Sequence, residues 1–255
     1  MALIQGVTNA FGSPAATPEG QPTPNALRMG KFNELYVGSM VPTKHLACLA
    51  GYYYSATLGA TAVVTTLATL TEASPAMIIE NSGLAGGPSI MLDYVRLIAT
   101  AVDAVSTTWA YSWKTDTIRG KWGSGGSALT PLNCNMGATN ASVATIHFGA
   151  LLVATAQQSS NNARVFAAGN LAPTGTAPVT LIGDVVDFRF GCLEGPLPTT
   201  ISNVASNGIH TFAMGYPVSN GPLVIPPGTT ATLFLFNAGA MNAPSYAVNM
   251  GWFEY

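Results

Sequence analysis

From about residue 36 onward, apolar and polar side chains alternate along short segments of the chain. The clearest case is the segment 185–191, in which apolar and polar side chains alternate from Val186 to Phe190. Successive side chains of a strand point to opposite faces, so a two-residue period predicts a half-buried β-strand. The two predicted faces are Val186, Phe188 and Phe190 against Val185, Asp187 and Arg189.

Further segments predict strands in the same way. Trp109, Tyr111 and Trp113 alternate with small or polar residues. The segment 230–236 is apolar on both faces, as expected of a strand that is buried on both sides, and the segment 246–255 forms a last strand. Glycine, proline and asparagine mark turns between the segments. Examples are Asn81-Ser-Gly, Gly123-Ser-Gly-Gly and Pro226-Pro-Gly.

These segments make roughly ten candidate strands, and no segment has the period and caps of a helix. Residues 102–107 could hold one helical turn at most. Many strands without intervening helices predict an all-β protein, an antiparallel β-sandwich or a barrel. The absence of a strand–helix alternation excludes a doubly wound α/β fold.

The first 35 residues follow a different pattern. Residues 9–25 are rich in Pro, Gly, Ala, Thr and Asn, with prolines at positions 14, 18, 22 and 24 and no apolar period. Proline fixes φ and lacks an N–H donor, so this stretch favours an extended path. We therefore predict an extended N-terminal arm over residues 1–35 and a single β domain over residues 36–255.

The composition narrows the class of protein. Charged residues make up 8% of the 255 residues, where about 25% is usual. The charge-poor stretches contain Thr, Ser, Asn, Gly and Pro, so none offers the ~20 apolar residues of a membrane span. The N-terminus lacks a basic segment followed by an apolar run, so the sequence does not predict a signal peptide there. A hydrophobic content of 48% argues against disorder, and nine scattered cations argue against nucleic-acid binding.

Sequence motifs of enzymes are incomplete. The segment 123–128 fits the dinucleotide pattern G-x-G-x-x-G/A, but that motif needs a helix directly behind it. Here Pro131 and a loop-like sequence follow, and we interpret the glycines as a flexible loop. The phosphate-binding P-loop and the G-x-S-x-G nucleophile turn are both absent.

Carboxylates receive a separate check because glycoside hydrolysis needs only two of them. The candidate pairs are Asp184 with Asp187 and Asp93 with Asp103. The first pair should point to opposite faces at the start of a strand. The second pair could meet across a sheet, but Arg96 and Arg119 are available as ion-pair partners. We therefore predict no catalytic residue and no cofactor.

The cysteines are odd in number and far apart in the sequence, at Cys48, Cys134 and Cys192. Three cysteines cannot all pair, so we predict buried thiols and not a disulfide scaffold. His45 and Cys48 form the only close histidine–cysteine pair, and two ligands do not complete a zinc site. We therefore predict no metal site.

Aromatic side chains could form a sugar-binding platform, but tyrosine and tryptophan are also favoured in cores and subunit interfaces. The low charge favours a role of these rings in the core or in subunit interfaces, because a surface with few charges suits a protein that is covered by neighbours. The arm suits packing on such a neighbour. The residues that we predict to make contacts are Pro22, Pro24, Arg28, Lys31, Tyr52, Tyr53, Tyr54 and Trp122.

The C-terminal part of the chain carries a resemblance. Residues 221–236 read Gly-Pro-Leu-Val-Ile-Pro-Pro-Gly followed by a strand that is apolar on both faces, and residues 246–255 close the chain with Trp-Phe-Glu-Tyr. This arrangement resembles the last strands of viral jelly-roll proteins, in particular tailed-bacteriophage proteins that coat or decorate a head or tip a fibre. The resemblance implies a jelly roll, self-association (often as trimers) and no catalytic residues.

The sequence thus predicts a non-enzymatic virion structural protein, an outer or minor capsid or decoration protein with a jelly-roll β-sandwich and an N-terminal arm. Its expected partners are copies of itself, with a trimer favoured, and other capsid proteins. We expect no direct contact with nucleic acid, because the arm has no cationic tail, and none with a membrane. The alternative is a carbohydrate- or receptor-binding module, such as a fibre tip or an adhesin.

Overall fold

The computed structural model describes residues 28–29, 35–36, 43–63, 66–67, 70–101, 109–154, 163–170, 182–183, 185–190, 223–237 and 245–255. Its elements in chain order are β1 (Arg28–Met29), β2 (Leu35–Tyr36), α1 (Thr43–Leu49), β3 (Tyr53–Ala62), β4 (Thr66–Leu67), β5 (Met77–Asn81), β6 (Ile90–Ala99), β7 (Trp109–Asp116), β8 (Trp122–Leu129), β9 (Leu132–Asn133), β10 (Ala144–Val153), β11 (Arg164–Asn170), β12 (Val185–Arg189), β13 (Val224–Ile225), β14 (Thr230–Asn237) and β15 (Ser245–Glu254).

The chain divides into two units, Met1–Leu46 and Ala47–Tyr255. In the first unit β1 and β2 pair antiparallel, with Arg28 opposite Tyr36. The predicted arm lies outside the described residues except for β1 and Leu35. The predicted boundary between the arm and the β domain therefore stays a prediction.

Two antiparallel sheets make up the second unit, as predicted for an all-β sandwich. Sheet I has the order β11-β7-β14-β5-β10-β8, and β4 joins β14 by a short parallel bridge. Sheet II has the order β12-β6-β15-β3-β9, and β13 adds to β6. The sandwich is the expected solution for strands that each have one apolar face to bury.

Aromatic side chains from both sheets meet in the core. Trp113 of sheet I contacts Phe188 and Phe190 from sheet II edge-on, with ring centroids 5.7 and 5.4 Å apart. Tyr111 packs against Phe188 as well, at 5.1 Å. These rings belong to one apolar cluster drawn from the two sheets. Aromatic pairs add about 0.5–1.5 kcal/mol beyond the area that they bury, so they help to hold the sheets together.

The buried apolar face of β12 and the two-sided burial of β14 confirm those strand predictions, but Asp187, on the predicted polar face of β12, is buried as well. Val186 and Phe188 are buried in the core, and the side chains of β14 from Thr230 to Leu235 are buried on both faces. The predicted Pro226-Pro-Gly turn also exists. The Thr229 N–H bonds to the Pro226 carbonyl at 3.2 Å, and Gly228 takes the left-handed φ of +78° that this turn needs.

Helix α1 is a difference from the sequence prediction, which had no helix in this region. Its end is a Schellman motif, in which the Tyr52 N–H bonds to the Ala47 carbonyl and the Gly51 N–H bonds to the Cys48 carbonyl. Gly51 has the left-handed φ of +75° that this cap requires. With seven residues the helix is too short for a 3.6-residue apolar period to stand out.

The glycine-rich segment predicted to be a flexible loop is strand β8, so that prediction is wrong. Gly125 and Gly126 have φ of +78° and +63°, and they lie against β10 where its register is irregular between Phe148 and Leu151. A Cβ on Gly125 would come within 2.2 Å of the Ala150 carbonyl oxygen. The glycines therefore serve a close approach of two backbones in an irregular strand pair.

Candidate contact surfaces

The predicted contact residues fall into different environments. Tyr53 and Tyr54 are only 4% and 2% exposed. Tyr54 stacks on Trp252 in the core, and Tyr53 packs edge-on against Phe253. Burial inside the chain's own fold removes both rings from its contact surface, which corrects the prediction for these two residues. Tyr52, by contrast, is exposed.

Of the predicted arm residues, Pro22, Pro24 and Lys31 lie outside the described residues. Arg28 is in β1, and nothing is described of its side chain. The prediction that these four residues make contacts therefore stays a prediction.

An exposed apolar patch surrounds Tyr52. The ring of Tyr255, also exposed, lies 5.6 Å from it at an angle of 50°. Burial, Cys48 and Tyr52 raise the pKa of Tyr255, so its hydroxyl stays neutral and presents a donor as well as an acceptor. We call the exposed residues Leu49, Tyr52, Leu132, Met136 and Tyr255 the terminal patch.

Asparagines hold β9 and the loop after it, which carry Leu132 and Met136, against the end of α1. The Asn133 Nδ2 donates to the Gly51 carbonyl at 2.9 Å, and the Asn135 Nδ2 donates to the Leu49 carbonyl at 2.9 Å. These bonds leave Met136 fully exposed on an anchored loop. An apolar side chain held in solvent by polar anchors is a typical component of a contact surface.

Trp122 also lies at the surface, with 42% of the residue exposed. One face of its indole stacks on His147, with ring centroids 4.1 Å apart and planes only 7° apart. The indole Nε1–H donates to the Gly125 carbonyl at 3.1 Å. Burial lowers the pKa of His147, although Glu80 acts in the opposite direction, so the imidazole under the indole is favoured in its neutral form.

A cleft of about 410 Å³ opens between the ends of β7 and β11 and the β13–β14 turn. Asp116, Arg164 and Phe166 are among its lining residues. Asp116 forms a buried ion pair with Lys121 at 2.6 Å and also accepts the Ile118 N–H. The cleft is within the usual size range of a small-molecule site, but its acid is already engaged in holding the fold.

The carboxylates checked for catalysis serve structural contacts where they are described. Asp187 binds Arg96 at 2.9 Å and Arg189 at 3.2 Å, whereas Arg96 was expected beside Asp93 or Asp103. Asp93 instead accepts the Tyr53 hydroxyl at 2.7 Å. Arg96 binds Asp187 because β12 lies directly beside β6, which places Asp187 opposite Arg96. Asp103 and Asp184 lie outside the described residues.

The cysteine prediction needs a correction too. Cys134 is exposed and Cys48 is half-buried, so neither is the buried thiol that was predicted. Cys134 lies in the loop that follows β9, where its Sγ is 3.6 Å from the Ser55 hydroxyl. Cys192 lies outside the described residues. No group of three or more metal-ligating side chains occurs within the described part of the chain.

Sequence reasoning missed the partners that define both surfaces. His147 alternates with Ile146 and Phe148 in β10, and this period is the signal that places it on the outer face of sheet I. Tyr255 and Met136 carry no such signal.

The seven-residue α1 is too short to span a bilayer. No protein-family model, no curated protein and no solved structure matches this chain.

Proposed function

We propose that this chain is a non-enzymatic virion structural protein, an outer or minor capsid or decoration protein with a jelly-roll fold. It would act by associating with copies of itself and with other capsid proteins. The observation that carries the proposal is the pairing of its eight main strands, which are β3, β5, β6, β7, β11, β12, β14 and β15.

In a jelly roll, eight strands pair like the two arms of one long hairpin that is wound into a sandwich. The pairing in this chain follows the same pattern and so supports a jelly roll. The first strand pairs with the eighth, the second with the seventh, the third with the sixth and the fourth with the fifth. These four pairs alternate between sheets II and I. The pair β8–β10 is then an insertion that extends sheet I beyond β5.

The surface supports assembly. Double-sheet jelly rolls occur in viral capsid proteins, and such proteins cover much of their surface with neighbours. The terminal patch exposes five large apolar side chains, and the whole chain has only 20 charged residues. A surface of this kind is better suited to subunit contacts than to solvent. A closed homo-oligomer, with a trimer favoured, satisfies this requirement.

Light scattering coupled to size-exclusion chromatography tests the proposal. The variants are the full chain, a chain without residues 1–35, and the double variant Tyr52→Ser/Tyr255→Ser. Both tyrosines are exposed, so their replacement should leave the fold intact. We expect the full chain to form an oligomer at micromolar concentration and both changes to shift it toward monomer.

Leu152→Ser is the matched control, because Leu152 is an exposed apolar residue of β10 outside the terminal patch. It should leave the oligomer unchanged. A full chain that is monomeric at the same concentration, and indifferent to deletion of residues 1–35, would contradict the proposal. Location in a particle has its own check, since the gene should lie beside terminase, portal or major capsid genes.

A further inference from the structure

The Trp122 indole is a rigid, one-sided plate. His147 covers one face, and the bond from Nε1 to the Gly125 carbonyl fixes the direction of the ring. His147 itself is buried and is held within β10 between β5 and β8. An aromatic ring that is supported from behind loses little conformational entropy on binding a ligand, so its open face is prepared for stacking.

The approach to the open face is not obstructed by neighbouring side chains of the same strand. β8 lies at the end of sheet I, and three of the four residues after Trp122 are glycines, at positions 123, 125 and 126. The backbone of β8 is therefore accessible beside the ring. Close approach of a ligand to backbone is one of the uses of glycine in a strand.

Polar groups on the same outer face can receive hydroxyl groups. Thr145 lies two residues before His147 on β10 and is exposed, and it pairs with Glu80 on β5. The Glu80 Oε1 accepts the N–H of Lys121 at 2.6 Å, and a carboxylate has further acceptor positions. The cation next to Trp122, Lys121, is buried in its ion pair with Asp116.

We propose that Trp122, supported by His147, binds a neutral saccharide. The C–H face of a pyranose ring would stack on the open indole face, whose π-electrons are negative, and sugar hydroxyls would donate to Glu80 and Thr145. A nucleotide would need cations for its phosphates, and the adjacent cation is already paired. The site is independent of the assembly proposed above, so either can fail without the other.

Binding of the full-length protein to immobilised glucose, galactose, mannose and N-acetylglucosamine, alone and as disaccharides, tests the inference. The affinity for the sugar that binds best is then measured by titration calorimetry. We expect Trp122→Ala to weaken it about fivefold to 150-fold, which corresponds to the ~1–3 kcal/mol of a ring stacked on an aromatic side chain. Trp122→Phe should retain part of the affinity. Glu80→Gln, which keeps an acceptor for Lys121, should weaken it less than Trp122→Ala does.

Val165→Ala is the matched control, because Val165 is an exposed apolar residue of β11, at the opposite end of sheet I from β8 and outside the terminal patch, and its replacement should leave sugar binding unchanged. Thermal unfolding of each variant shows that it is folded. Absence of binding to every neutral sugar, or equal affinity of Trp122→Ala and the native chain, would overturn the inference. Binding of oligo(dT) in place of sugars would reassign the ring to bases, and a change in oligomer mass with Trp122→Ala would reassign it to a subunit contact.

Discussion

Asn81 shows how much a single polar side chain contributes to this fold. It is completely buried at the end of β5, and its Nδ2 donates to the carbonyls of Pro88 and Ile225, both at 2.9 Å. Its Oδ1 accepts the Gly83 N–H. One amide therefore joins the turn after β5 to β13 of the other sheet. The sequence predicted the turn at Asn81 but not its bond to Ile225, because these two residues are 144 positions apart in the chain.

Asn81→Ala should lower the free energy of unfolding by about 3 kcal/mol, since it leaves the buried Ile225 carbonyl, the half-buried Pro88 carbonyl and the Gly83 N–H without their partner. Urea denaturation measures the change. Asn249→Ala is the control, because Asn249 is half-buried and accepts one bond, from the Tyr94 hydroxyl. It should cost about 1 kcal/mol. Equal losses in the two variants would show that Asn81 does not join the sheets as described.

His147 should make stability depend on pH. Burial lowers its pKa, so the unfolded chain takes up the proton first as the pH falls. The contribution of neutral His147 is thus complete above about pH 6.5, the ordinary value, and is lost as the pH falls below it toward the folded-state pKa. We expect the unfolding midpoint of His147→Gln to fall less steeply between about pH 7 and pH 5 than that of the native chain.

His45→Gln is the control for this prediction, because His45 is exposed on α1. Its midpoint should follow the native chain across the same pH range, and carboxylates that titrate there affect all three proteins alike. A steeper fall for His147→Gln would contradict the prediction. It would mean that the charged imidazolium is favoured beneath the Trp122 ring, as in a cation–π contact.

Among the secondary-structure elements, the sequence predicted those that are long enough to show a clear apolar period. β12 and β14 were predictable because alternation and two-sided burial repeat over several residues. α1 has seven residues, and its identity depends on the cap at Gly51, which was not recognised. β8 was predicted to be a loop because of its glycines. These glycines allow close contact with the backbone of β10, and the local sequence of β8 does not show which strand lies beside it.

The cap of α1 gives an element-scale prediction. Gly51→Ala combines a left-handed φ of +75° with a Cβ only 2.8 Å from the Ala138 Cβ. We expect a loss of about 2–3 kcal/mol in the free energy of unfolding, from backbone strain together with overpacking. Gly86→Ala separates these causes, because its φ is +84° but nothing lies within 4 Å of the new Cβ.

Gly86→Ala should therefore cost about 1 kcal/mol, the strain alone. Thermal or urea unfolding of both variants gives the comparison. If the two losses are the same, the packing of the loop around Ala138 against the end of α1 is not as tight as the structure has it. The same result would weaken the view that this loop is a rigid part of the terminal patch.

At the scale of the whole molecule, the sandwich followed from the sequence but its contact surfaces did not. Tyr52, Tyr53 and Tyr54 are adjacent in the sequence and were all predicted to be contacts, yet only Tyr52 is exposed. Strand alternation separates neighbours, and sheet pairing decides which of them is covered. Trp122 lies against His147 because β8 pairs with β10, and the sequence around Trp122 does not predict this pairing.

Low charge is the property of the whole chain that the proposed assembly explains. A chain with 20 charged residues has few of the groups that keep monomers apart. The exposed residues of the terminal patch provide an uncharged surface on which copies can meet. The proposed assembly would therefore account for the composition and the surface together.

Sedimentation velocity of the full chain over a range of micromolar concentrations tests whether copies of the chain assemble. If they do, it will show a single closed oligomer, with a mass that is an integral multiple of 26.2 kDa and a trimer favoured. A species of 26.2 kDa at every concentration would contradict the proposed assembly.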